Sequence, residues 1–176
     1  MPPIDVDGFA FTIAGGHAAS KYDDWVFYRK HVRRITHAKA VDLVVVCHDA
    51  STAFFVEVKD YRLYPRRKPG ELADEVAEKM LHTLGGMLAA RTRAAIDIET
   101  KTAELVCRSA KLRAVLHLEQ PPRPKSMPAT TISATLQLKL RQLLRAIDPH
   151  AVVVSQADSG NLPWSVTCPP AGSPAE

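Results

Sequence analysis

The chain has 176 residues, of which 46% are hydrophobic and 24% charged, so it can bury a core of one domain and is not wholly disordered. Its three cysteines are widely spaced and form no Cys-x-x-Cys pair, which argues against a disulfide framework or a zinc ribbon. No signal peptide is visible, and the apolar runs are far too short to cross a bilayer. We therefore expect a cytoplasmic protein with one domain over residues 1–168 and a flexible tail over residues 169–176.

The net charge of +4 is concentrated in two segments. Residues 21–39 carry six Lys or Arg against two acids, and residues 59–68 carry five against one. Tyrosines and a tryptophan are interleaved with these basic residues. This combination is typical of surfaces that bind a nucleic-acid backbone, although a solvated basic face gives the same pattern.

The hydrophobic pattern predicts a short strand at Phe9–Ile13 and then a helix over Ala19–Arg29, with Ser20 as its N-cap. The segment Val32–Ile35 fits either a short strand or a continuation of that helix. The later predicted elements are strands at Ala40–Cys47 and Thr52–Lys59, a helix at Glu71–Arg91, a strand at Leu112–Leu118, a helix at Ser133–Ile147, and short strands at Ala151–Ser155 and Trp164–Cys168. A tight hairpin followed by alternating helices and strands predicts an α/β fold, in which helices flank a mixed β-sheet.

Charged side chains stand on the two strands of the predicted hairpin. Glu57 and Lys59 project from the same face of the second strand, because side chains alternate along a strand. If the turn is centred at residues 49–50, Asp42 on the first strand faces Glu57, with the two Cβ atoms about 5 Å apart. The same register pairs Val44 with Phe55 and Val46 with Ala53.

Two facing carboxylates repel each other, and burying them without a partner is costly. The pair Asp42 and Glu57 therefore calls for a cation, which is Lys59, a metal ion or both. Ligands that are all oxygen favour Mg²⁺ or Mn²⁺, whose bound water is a nucleophile for phosphodiesters. Lys59 is placed either to orient that water or to stabilise the pentacovalent phosphate, and the basic loop at residues 62–68 is placed to bring in the phosphate backbone.

These residues resemble the PD-(D/E)XK nuclease superfamily, which has the restriction-endonuclease-like fold. The resemblance lies in Asp42 followed by Phe54-Phe55-Val56-Glu57-Val58-Lys59, and it covers about residues 19–91. The small branches that include Holliday-junction resolvases and other endonucleases are the most similar.

The resemblance implies an α-β-β-β-α-β core, over about residues 19–155, and Mg²⁺-dependent cleavage of DNA, with Mn²⁺ as a substitute. It implies that Asp42, Glu57 and the backbone carbonyl of Val58 bind the metal, and that Lys59 is the catalytic lysine. Many relatives have a further acidic ligand on the first helix, for which Asp23 and Asp24 are both candidates. The expected DNA-binding residues are Arg33, Arg34, Arg62, Arg66, Arg67 and Lys68, and a homodimer is a further expectation from the family.

Glu-x-Lys is a common pattern, and the chain contains a second copy at Glu99-Thr100-Lys101. This copy lacks a preceding aromatic and β-branched strand, so we predict that it lies on the surface. For the first copy, the alternatives to catalysis are a structural ion-pair cluster and an inactive nuclease fold that binds nucleic acid or a protein partner. A purely structural module is a third hypothesis.

Overall fold

The computed structural model describes residues 2–35, 37–63, 71–120 and 130–167, which form eight strands and four helices. The strands are β1 Ile4–Val6, β2 Phe9–Ile13, β3 His17–Lys21, β4 Leu43–Cys47, β5 Thr52–Asp60, β6 Lys111–Glu119, β7 Val152–Val154 and β8 Trp164–Thr167. The helices are α1 Val26–Lys30, α2 Leu72–Arg93, α3 Asp97–Arg108 and α4 Thr130–Leu143. Short three-ten helices cover Tyr22–Asp24 and Val32–Arg34. None of the described helices combines the length and apolar character needed to cross a bilayer.

The larger of two sheets has the strand order β3-β4-β5-β6-β7. Its first three strands are antiparallel, whereas β5, β6 and β7 are parallel to one another and are connected through helices. The strands β1, β2 and β8 form a separate antiparallel sheet. The predicted α/β fold with a mixed sheet in a single domain is therefore confirmed.

The two faces of the larger sheet are covered differently. Alternate residues such as Val44 and Phe55 pack against the helices in one core cluster. Their neighbours Val45 and Val56 point the other way and pack in a second cluster against the small sheet. Among the described residues, helices therefore cover only one face of the mixed sheet, and the prediction that helices flank it is right for that face.

The segment Ala19–Arg29 is not the single helix that its sequence predicts. It begins within β3 at the edge of the larger sheet, passes through the three-ten helix and ends in α1. Ser20 pairs with Val44 in the sheet, and its hydroxyl accepts a hydrogen bond of 2.6 Å from the Trp25 indole N–H instead of capping a helix. Sheet pairing therefore overrides the local helical pattern here.

A distant glutamate caps α1. The carboxylate of Glu99, on α3, accepts hydrogen bonds from the backbone N–H groups of Val26 at 2.7 Å and Phe27 at 3.1 Å. These N–H groups lie in the first turn of α1, where no intrahelical partner is available. Glu99 is only 5% exposed, so the prediction that this residue lies on the surface is wrong. The sequence pattern predicts neither α3 nor the backbone N–H groups that make the burial of Glu99 favourable.

The helix α2 continues through two adjacent glycines, Gly85 and Gly86. A Cβ atom at position 86 would overlap with the hydroxyl of Tyr22, whereas one at position 85 meets nothing. Tyr22 is fully buried, and its ring lies 5.1 Å from those of Trp25 and Tyr28, measured between centroids. Gly86 therefore allows close packing of α2 against Tyr22.

The remaining predicted elements are present with shifted ends. The prediction for Ser133–Ile147 corresponds to α4, which begins and ends earlier in the chain, and β1 is an additional strand. The last predicted strand is described as far as Thr167. The predicted tail at residues 169–176 lies outside the described residues.

Candidate active site

The predicted register of the β4–β5 hairpin is confirmed up to its last rung. Leu43 pairs with Val56, as the register requires, but the ladder ends there. The N–H of Asp42 donates to the Val56 carbonyl at 3.2 Å, so the backbone of Asp42 bends away from a direct pairing with Glu57. Its carboxylate Oδ2 instead accepts a hydrogen bond of 2.7 Å from the N–H of Val58. The correctly predicted rungs include Val44 with Phe55 and Val46 with Ala53.

Charged side chains from β5 and α2 meet beside Asp42, on the face of the sheet that the helices cover. Glu57 is fully buried, and its Oε1 contacts the ammonium groups of both Lys59 and Lys79. The Nζ of Lys79, on α2, lies 2.5 Å from Glu57 Oε1 and 3.7 Å from Asp42 Oδ1. The structure thus brings together the three residues that the sequence singled out and adds a second lysine.

Burial, together with the nearby charge of Asp42, raises the pKa of Glu57 from 4.5 to about 7, although both lysines oppose the shift. For Lys59, burial disfavours the charged form, but the adjacent Glu57 carboxylate outweighs it and the pKa is raised. Glu57 Oε2 is buried and has no hydrogen-bond partner among the described residues. A carboxylate with one oxygen held by two ammonium groups and the other unpaired has a free ligand position.

The structure distinguishes the two candidate acids before α1. Asp23 Oδ1 is buried without a hydrogen-bond partner in the described part of the chain. Burial, with contributions from the charges of Asp24 and Asp42, raises the pKa of Asp23. Asp24 is half exposed and forms ion pairs with Arg29 and Lys21. Asp23 is therefore the better candidate for a third acidic group of the site.

A cleft of about 930 Å³ opens next to these acids, and we call it the basic cleft. It is lined by Asp23 and Asp42, by side chains between them in sequence, and by Lys79. The cationic or titratable side chains on its wall are Arg29, Arg33, Arg34, His37 and Lys39. Glu57 lies behind Asp42 and Lys79 as seen from the cleft, because it is fully buried yet contacts Lys79.

The predicted DNA-binding residues are divided between several places. Arg33 and Arg34 line the basic cleft. Arg62 instead forms an ion pair of 2.7 Å with Asp60, and its guanidinium carbon lies 5.3 Å from the ring centroid of Phe9, which belongs to the small sheet. The predicted contacts Arg66, Arg67 and Lys68 lie outside the described residues.

Lys79 is not among the site residues that the sequence predicts, although it lies within the predicted helix Glu71–Arg91. A signal was present, since Lys79 lies three residues after Val76 and four before Thr83, both of which are buried. These spacings place all three residues on the same face of the helix. A lysine on such a face requires an acidic partner, and the hairpin offers two.

The donor set suits a hard divalent cation. Asp42 and Glu57 supply carboxylate oxygens, and Mg²⁺ is commonly held by one or two protein carboxylates, with water and substrate phosphate as its other ligands. The N–H of Val58 points to Asp42, and its carbonyl shares that side of β5 because the two groups of one residue point the same way. Within the described residues, no three acidic, histidine or cysteine side chains are already arranged as a metal site.

Comparisons of the chain with protein-family models, with curated proteins and with solved structures found no match. The functional interpretation therefore depends on the geometry of the residues themselves.

Proposed function

We propose that this protein is a nuclease of the PD-(D/E)XK type that hydrolyses phosphodiester bonds in DNA with the help of Mg²⁺. The observation that carries the proposal is the cluster of Asp42, Glu57 and Lys59, of which Asp42 lines the basic cleft. Support also comes from the three antiparallel strands β3, β4 and β5, followed by helices and the parallel strand β6. One difference from the implied core is that α1 comes after the first of these strands and not before it.

Each charged group has a role in this proposal. Asp42 and Glu57 hold the metal, with Asp23 as a third acid and the Val58 carbonyl as a backbone ligand. Bound Mg²⁺ supplies an activated water and neutralises charge on the phosphate. Lys59 favours the ionised form of Glu57 and assists the attacking water.

The basic cleft binds the phosphate backbone. Arg33 and Arg34 lie on its wall, where cationic side chains attract phosphates whatever the base sequence. DNA binding should therefore weaken steeply as salt concentration rises.

The test is incubation of the purified protein with supercoiled plasmid, single-stranded and branched DNA in Mg²⁺ or Mn²⁺. Asp42→Asn, Glu57→Gln and Lys59→Met should each lower cleavage at least about 100-fold, since each removes a group that acts on the reacting phosphate or water. Asp49→Asn is a matched control, because Asp49 is an exposed carboxylate in the turn of the same hairpin. Cleavage that survives the three site substitutions together would overturn the proposal.

A second candidate function is metal-independent binding of nucleic acid without cleavage. The observation that favours it is the position of Lys79, which together with Lys59 balances the charges of Asp42 and Glu57 without a metal. This alternative predicts salt-sensitive DNA binding that Mg²⁺ and Mn²⁺ do not convert into cleavage.

A further inference from the structure

Lys79 stands between the basic cleft and the buried carboxylate of Glu57. Its side chain lines the cleft and is only 15% exposed, while its ammonium group contacts Glu57 and lies 3.7 Å from Asp42. A divalent cation that enters from the cleft and binds both carboxylates needs the space and the negative charge that Lys79 now uses. The two cations also repel each other strongly at such distances.

We propose that Lys79 is an internal counterion that competes with the divalent metal for Asp42 and Glu57, and that its ammonium group turns toward the basic cleft when the metal binds. The inference rests on the metal site of the proposed function. It assigns to Lys79 a role distinct from that of Lys59, which contacts Glu57 from the same strand.

The local structure identifies the side chain as the moving part. Thr83 donates a hydrogen bond of 2.8 Å to the carbonyl of Lys79 and accepts one of 3.1 Å from the N–H of Val41. This hydroxyl therefore ties the Lys79 turn of α2 to the residue that precedes Asp42. Because the backbone is fixed on both sides, exchange with a metal involves rotation of the long lysine side chain.

Lys79, as the competing cation, stabilises the protein when no metal is bound. Without Lys79, Lys59 alone would offset the charges of Asp42 and Glu57 in a largely buried place, where the repulsion between the two carboxylates is only weakly screened. The lysine thus stabilises the fold in the absence of metal, and it does so at the expense of metal affinity. A divalent ion in the site, held by both acids, replaces the stabilisation that Lys79 provided.

The test is Mn²⁺ binding to the full chain at pH 8, measured by electron paramagnetic resonance and by calorimetry. We expect Lys79→Met to bind Mn²⁺ about tenfold more tightly than wild type, because the competing charge is gone. Lys39→Met is the matched control. Lys39 also lines the cleft and forms an ion pair with α2, at 2.6 Å from Glu78, but it is not paired with Asp42 or Glu57. Its loss should change the affinity less than about twofold.

A second measurement on the wild-type protein does not depend on the folding of a variant. Acetylation of each lysine by acetic anhydride, followed by mass spectrometry, should show that saturating Mn²⁺ makes Lys79 several-fold more reactive and leaves Lys39 unchanged.

Two outcomes overturn the inference in different ways. If wild type binds Mn²⁺ and Glu57→Gln does not, but Lys79→Met binds no more tightly and Lys79 stays unreactive, then Lys79 is not a competitor and the metal site stands. If neither wild type nor Lys79→Met binds Mn²⁺, the proposed metal site itself is wrong and the inference falls with it.

Discussion

Glu57 and Glu99 are both buried glutamates in a Glu-x-Lys sequence, but their carboxylates have opposite environments. Both oxygens of Glu99 accept hydrogen bonds from backbone N–H groups, which cannot move without unfolding α1. One oxygen of Glu57 is shared by two lysine side chains, and the other has no partner among the described residues. The lysines differ as well, since Lys59 is 17% exposed whereas Lys101 is 66% exposed and pairs with Asp97.

The difference separates a structural carboxylate from one that is available for a ligand. Backbone donors satisfy Glu99 completely, so its burial stabilises the protein. Glu57 is buried at a cost, as its raised pKa shows, and its partners are flexible side chains that can exchange. Burial of a charged residue therefore does not identify a site, whereas an unpaired oxygen and mobile partners do.

The largest expected effect contrasts the two glutamates in the cleavage assay. Glu57→Gln should lower the cleavage rate at least about 100-fold, because it removes a proposed metal ligand while keeping the shape of the side chain. Glu99→Gln should lower the cleavage rate per folded molecule by less than about tenfold. Glu99 contacts the backbone of α1 and does not contact Asp42, Glu57 or Lys59. The measurement is plasmid nicking at equal concentrations of folded protein. An equal loss of cleavage rate in Glu57→Gln and Glu99→Gln would contradict the distinction between a site carboxylate and a structural one.

The next effect is on the free energy of unfolding, for which Glu99 and not Glu57 is the more important of the two glutamates. Glu99→Ala should lower the free energy of unfolding by about 2 to 4 kcal/mol, because two N–H groups of α1 lose their acceptor in a buried place. Urea denaturation checks this, with Glu104→Ala as control. Glu104 is an exposed glutamate on the same helix, and its substitution should cost less than about 0.5 kcal/mol. A cost for Glu99→Ala as small as that of the control would mean that the cap contributes little.

Much of the hairpin that carries Asp42, Glu57 and Lys59 could be predicted, because its determinants are local. The turn at residues 49–50 sets the register, and every rung of β4 with β5 agrees with it. The bend at Asp42 could not be read in this way. The carbonyl of Asp42 also accepts a hydrogen bond of 3.3 Å from the N–H of Tyr22, on a segment that the sequence predicts as helix.

The groups that complete and support the site come from distant parts of the chain. Lys79 reaches Glu57 from α2, 22 residues along the sequence, and Glu99 reaches Phe27 across 72 residues. Periodicity reports which face of a helix is buried, but it does not report what that face meets. A charged residue on an otherwise apolar face is the one available signal. Lys79 gives it on a helix that the sequence predicts, whereas Glu99 gives it only once α3 is known.

The pH dependence of stability sharpens the contrast at Glu57. Between about pH 4.5 and pH 7 the folded protein holds a proton on Glu57 that the unfolded chain has released, so this group makes the fold less stable as the pH rises through that window. Glu57→Gln lacks the effect. It should be about 2 kcal/mol more stable than wild type at pH 8, with the advantage shrinking toward pH 5. Urea denaturation of both proteins at the two pH values measures this, and an advantage of the same size at both would contradict the assignment.

The smallest effect concerns the segment Tyr22–Phe27, which contains Asp23. Glu99 accepts hydrogen bonds from the end of this segment, and Gly86 packs against Tyr22 at its start. Gly86→Ala should cost about 1 to 2 kcal/mol, because its Cβ would overlap with the Tyr22 hydroxyl and the packed ring has little room to move. Gly85→Ala should instead stabilise the exposed adjacent position by up to about 1 kcal/mol, since alanine favours helix. The Tyr22 hydroxyl has no hydrogen-bond partner among the described residues. Adding Tyr22→Phe should therefore restore part of the stability that Gly86→Ala loses, as measured by thermal denaturation of the single and double variants. If Tyr22→Phe lowers the stability of Gly86→Ala further, the close contact is not the cause of its loss.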